Sequence, residues 1–196
     1  GILTILFNRQ IMVWLGTNAL AVYGVIVNIS TFVQCCAYSV GQASQPIIST
    51  NFGAGKGERI RETLKYALGT VAFFSLFWTA LSMLLPNVFI RFFMTPTAEV
   101  LGIAPSIFRC YGLSFLLLPL NIFSTYYFQA LMKPRAAFIA SMARGLVISG
   151  VLIYLLPAVL GGNAIWFAMP ATEVIVAFYV AREMAAYTKQ LSKRKV

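Results

Sequence analysis

Two ionisable side chains stand alone in long uncharged stretches of this chain. Arg144 lies nine residues beyond Arg135, and Glu173 lies ten beyond Asn163. At ~1.5 Å per helical residue, both would sit ~14 Å in from opposite ends of a helix pair and meet near its middle. A charge at membrane depth costs at least ~2.5–3.5 kcal/mol on insertion scales and marks a partner or a pathway. Two chemistries are open to this pair. It is a structural clip between helices, adding little net stability, or Glu173 titrates or contacts a cation while Arg144 tunes it. Pro170, three residues before Glu173, removes a backbone donor and frees a carbonyl nearby.

Uncharged polar residues form a second pattern. Asn28, Thr31, Cys35, Tyr38, Gln42, Gln45 and Ser49 are spaced by three or four and so share one helical face. Uncompensated amides in hydrocarbon cost several kcal/mol each, so this face meets either a polar cavity or another helix. Gln34, Tyr38 and Gln42, near mid-span, are read as cavity-lining. Pro46 is expected to bend the cytoplasmic third of the helix and serve as a hinge. A weaker repeat comprises Ser114, Asn121, Thr125 and Gln129, with Pro119 breaking the ladder beside Asn121. Helices broken beside polar side chains recur at transport sites. Asn121 and Thr125 are therefore candidates for a cavity, with a packed interior face as the alternative.

Most catalytic plans fail on composition. The chain has no His and no Asp, and only five Glu. A Ser-His-Asp triad, an H-E-x-x-H zinc site and an aspartyl dyad are all impossible within it. Cys35 and Cys36 are adjacent and Cys110 is remote, which suits neither a zinc motif nor a disulfide framework. They read as small packing residues. Gly53-Ala54-Gly55-Lys56-Gly57 fails the phosphate-loop spacing and reads as a tight turn between helices. No enzyme activity and no metal site are expected.

The elements that must position these residues are membrane helices. The chain is 60% hydrophobic and only 10% charged, with a mean hydropathy of +0.82, whereas about a quarter of a soluble domain is charged. Uncharged runs of spanning length place helices near 19–49, 63–86, 103–131, 136–157 and 163–186. Residues 1–15 read as the outer end of a helix whose inner part is missing, and the chain as a truncated piece. The membrane region thus covers 1–187, followed by a basic tail at 188–196. Lys and Arg collect on the cytoplasmic side of short loops. Lys56, Arg59, Arg61 and Lys65, then Lys133 and Arg135, then Lys189, Lys193, Arg194 and Lys195 fall at alternate loops. Those loops and the C-terminus are expected inside a multi-pass protein. The net charge of +10 is thereby explained by topology, and nucleic acid is not expected as a partner. Between the third and fourth helices, the Phe- and Arg-bearing stretch Pro86–Met94 suits the headgroup boundary. Thr95 is expected to cap the next helix, with Pro96 at its first position and Glu99 in its first turn.

These residues resemble a known family. The run Gly41 to Gly55 (G-Q-x-x-Q-P-I-I-S-x-N-F-G-A-G), Ala130 to Pro134, Ser141-Met-Ala-Arg144-Gly145, Leu155-Leu-Pro157 and Trp166-x-x-x-Pro170-x-x-Glu173 are similar to the C-terminal lobe of MATE multidrug and toxin extrusion proteins. The likeness is strongest to the MepA-like and DinF-like bacterial branch and covers essentially the whole chain. It implies an all-α polytopic bundle, one six-helix lobe of a twelve-helix transporter with its first helix truncated.

The resemblance further implies secondary-active efflux of amphipathic, often cationic, drugs across the bacterial inner membrane. Protons or sodium would be exchanged by alternating access, with no other cofactor. The partners would be the bilayer, the N-terminal lobe of the same chain and small-molecule drugs. Gln45, Pro46, Asn51, Gly53 and Gly55 match a family motif that shapes the cytoplasmic end of the second helix here. Arg144 and Glu173 match characteristic polar positions of the last two helices. The acidic residues that some members carry in the seventh or tenth helix have no counterpart. The alternatives are a flippase of the same superfamily moving a lipid-linked sugar, and a noncatalytic membrane scaffold or receptor.

Overall fold

A computed structural model describes residues 1–191 and Lys193. Helices take up 91% of the chain and no strand occurs among the described residues, so every crossing is α-helical, as backbone polarity in hydrocarbon requires. Among the described residues nine α-helices follow in order: α1 (Ile2–Trp14), α2 (Thr17–Gly53), α3 (Gly57–Leu84), α4 (Pro86–Phe93), α5 (Ala98–Gly112), α6 (Leu118–Ala130), α7 (Pro134–Met142), α8 (Ile148–Leu160) and α9 (Ala168–Leu191). Five stretches are long and apolar enough to cross a membrane: Thr17–Gly53, Gly57–Leu84, Ala98–Ala130, Pro134–Leu160 and Gly162–Leu191. α1 is shorter, at 13 residues. α9 continues to Leu191, so the first residues read as tail are helical; Arg194 and Lys195 of that tail lie outside the described residues.

α2 is the spine of the bundle, packing on α6 along its length and on α3 and α5 beside it. It pairs many of its polar side chains locally. The hydroxyls of Thr31, Ser39 and Ser44 donate to the carbonyls of Val27, Cys35 and Val40, and the Asn51 amide donates to that of Ile47, all at 2.7–2.9 Å. Such back-bonding lets hydroxyls and amides sit in an apolar setting. The helix runs unbroken through Pro46; proline takes the donor from Gln42's carbonyl without ending the helix. Gly55, at φ +69°, then makes the turn into α3.

Two apolar clusters hold the helices together. One gathers Phe7, Tyr23, Tyr111, Phe115 and Trp166 from five different elements, with Phe7 and Tyr23 stacked at 4.5 Å. The other, around Phe123, Tyr127, Phe128, Val176 and Val180, joins α6 to α9. There Tyr127 and Thr188 share a 2.5 Å hydrogen bond. The short helix α4 starts with Pro86, buries Ile90 and stacks Phe89 on Phe108, while Phe92 is exposed. The cap of α5 differs from expectation. Thr97, not Thr95, accepts the hydrogen bond from the Val100 amide, and Pro96 precedes the helix.

Three backbone irregularities interrupt the α-helices, two within spans and one at the start of the last span. A 3₁₀ turn at Leu113–Leu116 separates α5 from α6, a π-turn at Ala143–Val147 separates α7 from α8, and a 3₁₀ segment at Gly162–Phe167 precedes α9. Pro119, in the first turn of α6, and Pro170, early in α9, adjoin two of them.

Candidate functional site

Two of the irregular segments bring partners to Glu173. Its side chain is fully enclosed. Arg144, carried on the π-turn, donates from Nε to Oε1 at 2.7 Å. Asn121, just past the α5–α6 break, donates from Nδ2 to Oε2 at 2.6 Å and to the Glu173 carbonyl at 3.0 Å. One carboxylate thus ties α6, the α7–α8 turn and α9 together. A π-turn adds a residue to the helical repeat and re-aims its side chains, which places the guanidinium toward α9. The arrangement has one unmatched atom: Oδ1 of Asn121 is buried without a hydrogen-bond partner.

A cavity of about 340 Å³ opens on the other side of Arg144. Tyr23, Ser30, Thr31 and Gln34 line it from the α2 side, Tyr111, Leu118 and Met169 from the facing helices, and Gly1, Leu3 and Thr4 at one edge. Gln34 donates to the Ser30 hydroxyl at 3.1 Å. Arg144 carries the only side-chain charge in this lining, and Glu173 neutralises it.

The sequence-derived candidates do not form one site. Arg144, Glu173 and Asn121 come together, so Asn121 is a buried partner of Glu173 and not a cavity-lining residue. Gln34 lines the cavity. Tyr38 and Gln42 lie outside it, on an exposed face of α2 together with Asn28 and Cys35. Cys35 is therefore no packing residue. Thr125 is half-buried and donates to the Ile122 carbonyl at 2.7 Å; it too is away from the cavity. Gln45 meets Gln129, Nε2 to Oε1, at 3.3 Å. Asn51 and Gly53 belong to the last turn of α2, Gly55 makes the turn into α3, and Pro119 opens α6. Sequence reasoning passed over Tyr126, whose ring packs edge-on to Tyr38. Gly41 was the available signal, since a glycine inside a helix points to close approach by a neighbour. Among the described residues no cluster of three or more His, Cys, Asp or Glu is placed to hold a metal ion.

The exposed stripe of α2 differs from the other exposed helix faces. α3 and α8 present Phe73, Leu76, Val151 and Leu155 outward, as lipid contact demands. α2 presents the Asn28 and Gln42 amides and the Tyr38 hydroxyl, which no local hydrogen bond satisfies and which bare lipid would leave unsolvated.

Comparison with known proteins agrees with this architecture. The chain superposes on the outward-facing form of a multidrug resistance MATE family transporter of the MOP superfamily at a TM-score of 0.88, with 18% identity, covering 98% of this chain and 43% of that one. The inward-facing form gives 0.87 at 18% identity, over 100% and 45%. A MOP superfamily transporter from Pyrococcus furiosus, described as having a binding pocket of reverse polarity, gives 0.78 at 19% identity, over 95% and 43%. The chain thus spans under half the length of these solved transporters. No curated protein matches it in sequence. The MatE family model matches residues 3–155, and by that match over most of its length the chain belongs to the MatE family of membrane transporters.

Proposed function

We propose that this chain is the C-terminal lobe of a secondary-active exporter of amphipathic, cationic compounds, driven by inward movement of protons or sodium. The observation that carries the reading is the exposed polar face of α2, too polar for lipid and uncovered within the lobe. A second lobe opposite it would close a wet central cavity, which supports transport over a scaffold role. The near-equal fit to outward- and inward-facing relatives is what a lobe moving as one body would give. The Glu173 cluster is the coupling candidate. Proton or sodium capture by the carboxylate would loosen its hold on Arg144 and Asn121, and so reposition α9 against α6 and the α7–α8 turn. The Arg-lined cavity gives a flippase reading its only support; the pairing of Arg144 with Glu173 leaves no net positive charge there for a pyrophosphate.

The reading is tested by ethidium efflux from cells producing the full-length protein, with the proton and sodium gradients collapsed separately. Efflux that stops with one gradient supports the exporter and names the ion. Absence of efflux at verified expression refutes it.

A further inference from the structure

Beside the polar stripe lies a pair of rings whose placement depends on one glycine. Tyr38 of α2 and Tyr126 of α6 meet edge-to-face, with centroids 6.3 Å apart and planes at 68°. The Tyr126 ring rests directly on the α2 backbone at Gly41. A Cβ built there would lie 2.4 Å from Tyr126 Cδ2 and 2.6 Å from Cγ, closer than real contacts allow. Only glycine at 41 lets the two rings stand side by side. Three glutamines, Gln42, Gln45 and Gln129, follow them within two helical turns on the same two helices. Gln45 donates to Gln129 at 3.3 Å, while Gln42 is exposed and makes no hydrogen bond among the described residues. Tyr38 is 38% exposed although it sits in the middle of a spanning helix.

No carboxylate serves this face. Glu173 is enclosed and paired, Glu99 accepts from Asn18 at 2.7 Å, and Glu58, Glu62 and Glu183 lie near the ends of α3 and α9. A cation arriving here would meet aromatic faces and amide oxygens, and a desolvated cation is held by just such quadrupoles. We propose that Tyr38 and Tyr126, with Gln42, Gln45 and Gln129, form a subsite for the aromatic or alkylated part of a lipophilic monocation, read by ring faces and amide dipoles. This inference rests on the exporter reading and adds to it where, on this lobe, the ligand is held and by what chemistry.

The test is calorimetric binding of tetraphenylphosphonium to the full-length transporter in detergent. Tyr38→Ala and Tyr126→Ala are each expected to weaken binding by about tenfold. Tyr38→Phe and Tyr126→Phe, which keep the rings, should stay within about twofold. Gly41→Ala keeps both tyrosines but forces the Tyr126 ring off α2, and is expected to weaken binding as the alanine variants do. Elution volume and melting temperature confirm that each variant is folded. Wild-type binding that the alanine variants retain overturns the subsite while leaving the exporter standing, as does a Phe variant as weak as its Ala counterpart. No binding by the wild type overturns the subsite and the cationic-substrate reading together.

Discussion

Removing one member of the Arg144–Glu173 pair strands the other's charge, because the carboxylate is enclosed and has only Asn121 besides. Breaking a buried pair in this way costs about 3–5 kcal/mol, whereas replacing both members with apolar residues is often neutral. Arg144→Met is therefore expected to destabilise the full-length protein by ~3–5 kcal/mol, and Arg144→Met with Glu173→Leu to recover most of that loss. A double-mutant cycle on thermal unfolding in detergent reads both, and additive effects would show that the pair is not coupled. Asn121→Ala removes a charge-assisted hydrogen bond and should cost ~1.5–3 kcal/mol in the same assay. The ion pair was legible in the sequence because charges are so scarce that two isolated ones have few possible partners. The role of Asn121 was not. Its spacing from Pro119 marks a break in a helix but says nothing of which residue on another helix lies opposite.

At the scale of the element, local chemistry decides where helices start and how closely they cross. Thr97→Ala removes the hydroxyl that accepts from the Val100 amide and should cost ~1 kcal/mol, with Thr95→Ala within ~0.5 kcal/mol of wild type. Comparison of the two melting curves checks the position of the cap. Gly112 lets α5 pass close to α3, since a Cβ there would lie 2.8 Å from Ser82 Cβ. Gly112→Ala is expected to lose ~1–3 kcal/mol through overpacking, read from the same unfolding transition. The existence of the spans was plain from uncharged runs, and the break before α6 was signalled by Pro119. The π-turn at Ala143–Val147 was not foreseeable, because no proline marks it and its backbone is set by where Arg144 must reach. The two-residue error at the α5 cap arose because Thr95 and Thr97 flank Pro96, and both a threonine before a proline and one just after it suit a helix start.

For the whole molecule, the lobe explains its own charge and its own unfinished surface. The basic residues at alternate helix ends predict a fixed orientation. In a cysteine-free background, Lys56→Cys should react with an impermeant maleimide only when the cytoplasmic side is exposed, and Asn163→Cys only from outside. The opposite pattern would invert the topology. The polar face of α2 could be read from its three-four spacing, but whether it met a helix or a cavity could not, since that depends on what the neighbouring helices leave uncovered. The central claim is that this lobe serves coupled export, and the most direct measurement is ethidium transport by the purified full-length protein in liposomes under an imposed proton or sodium gradient, with Glu173→Gln beside the wild type. The account predicts accumulation or extrusion that follows one of the two gradients, collapses with its ionophore and is lost in a folded Glu173→Gln variant. Dye movement no faster than in protein-free liposomes would contradict the exporter, and a Glu173→Gln variant that still couples as well as wild type would remove Glu173 from the mechanism.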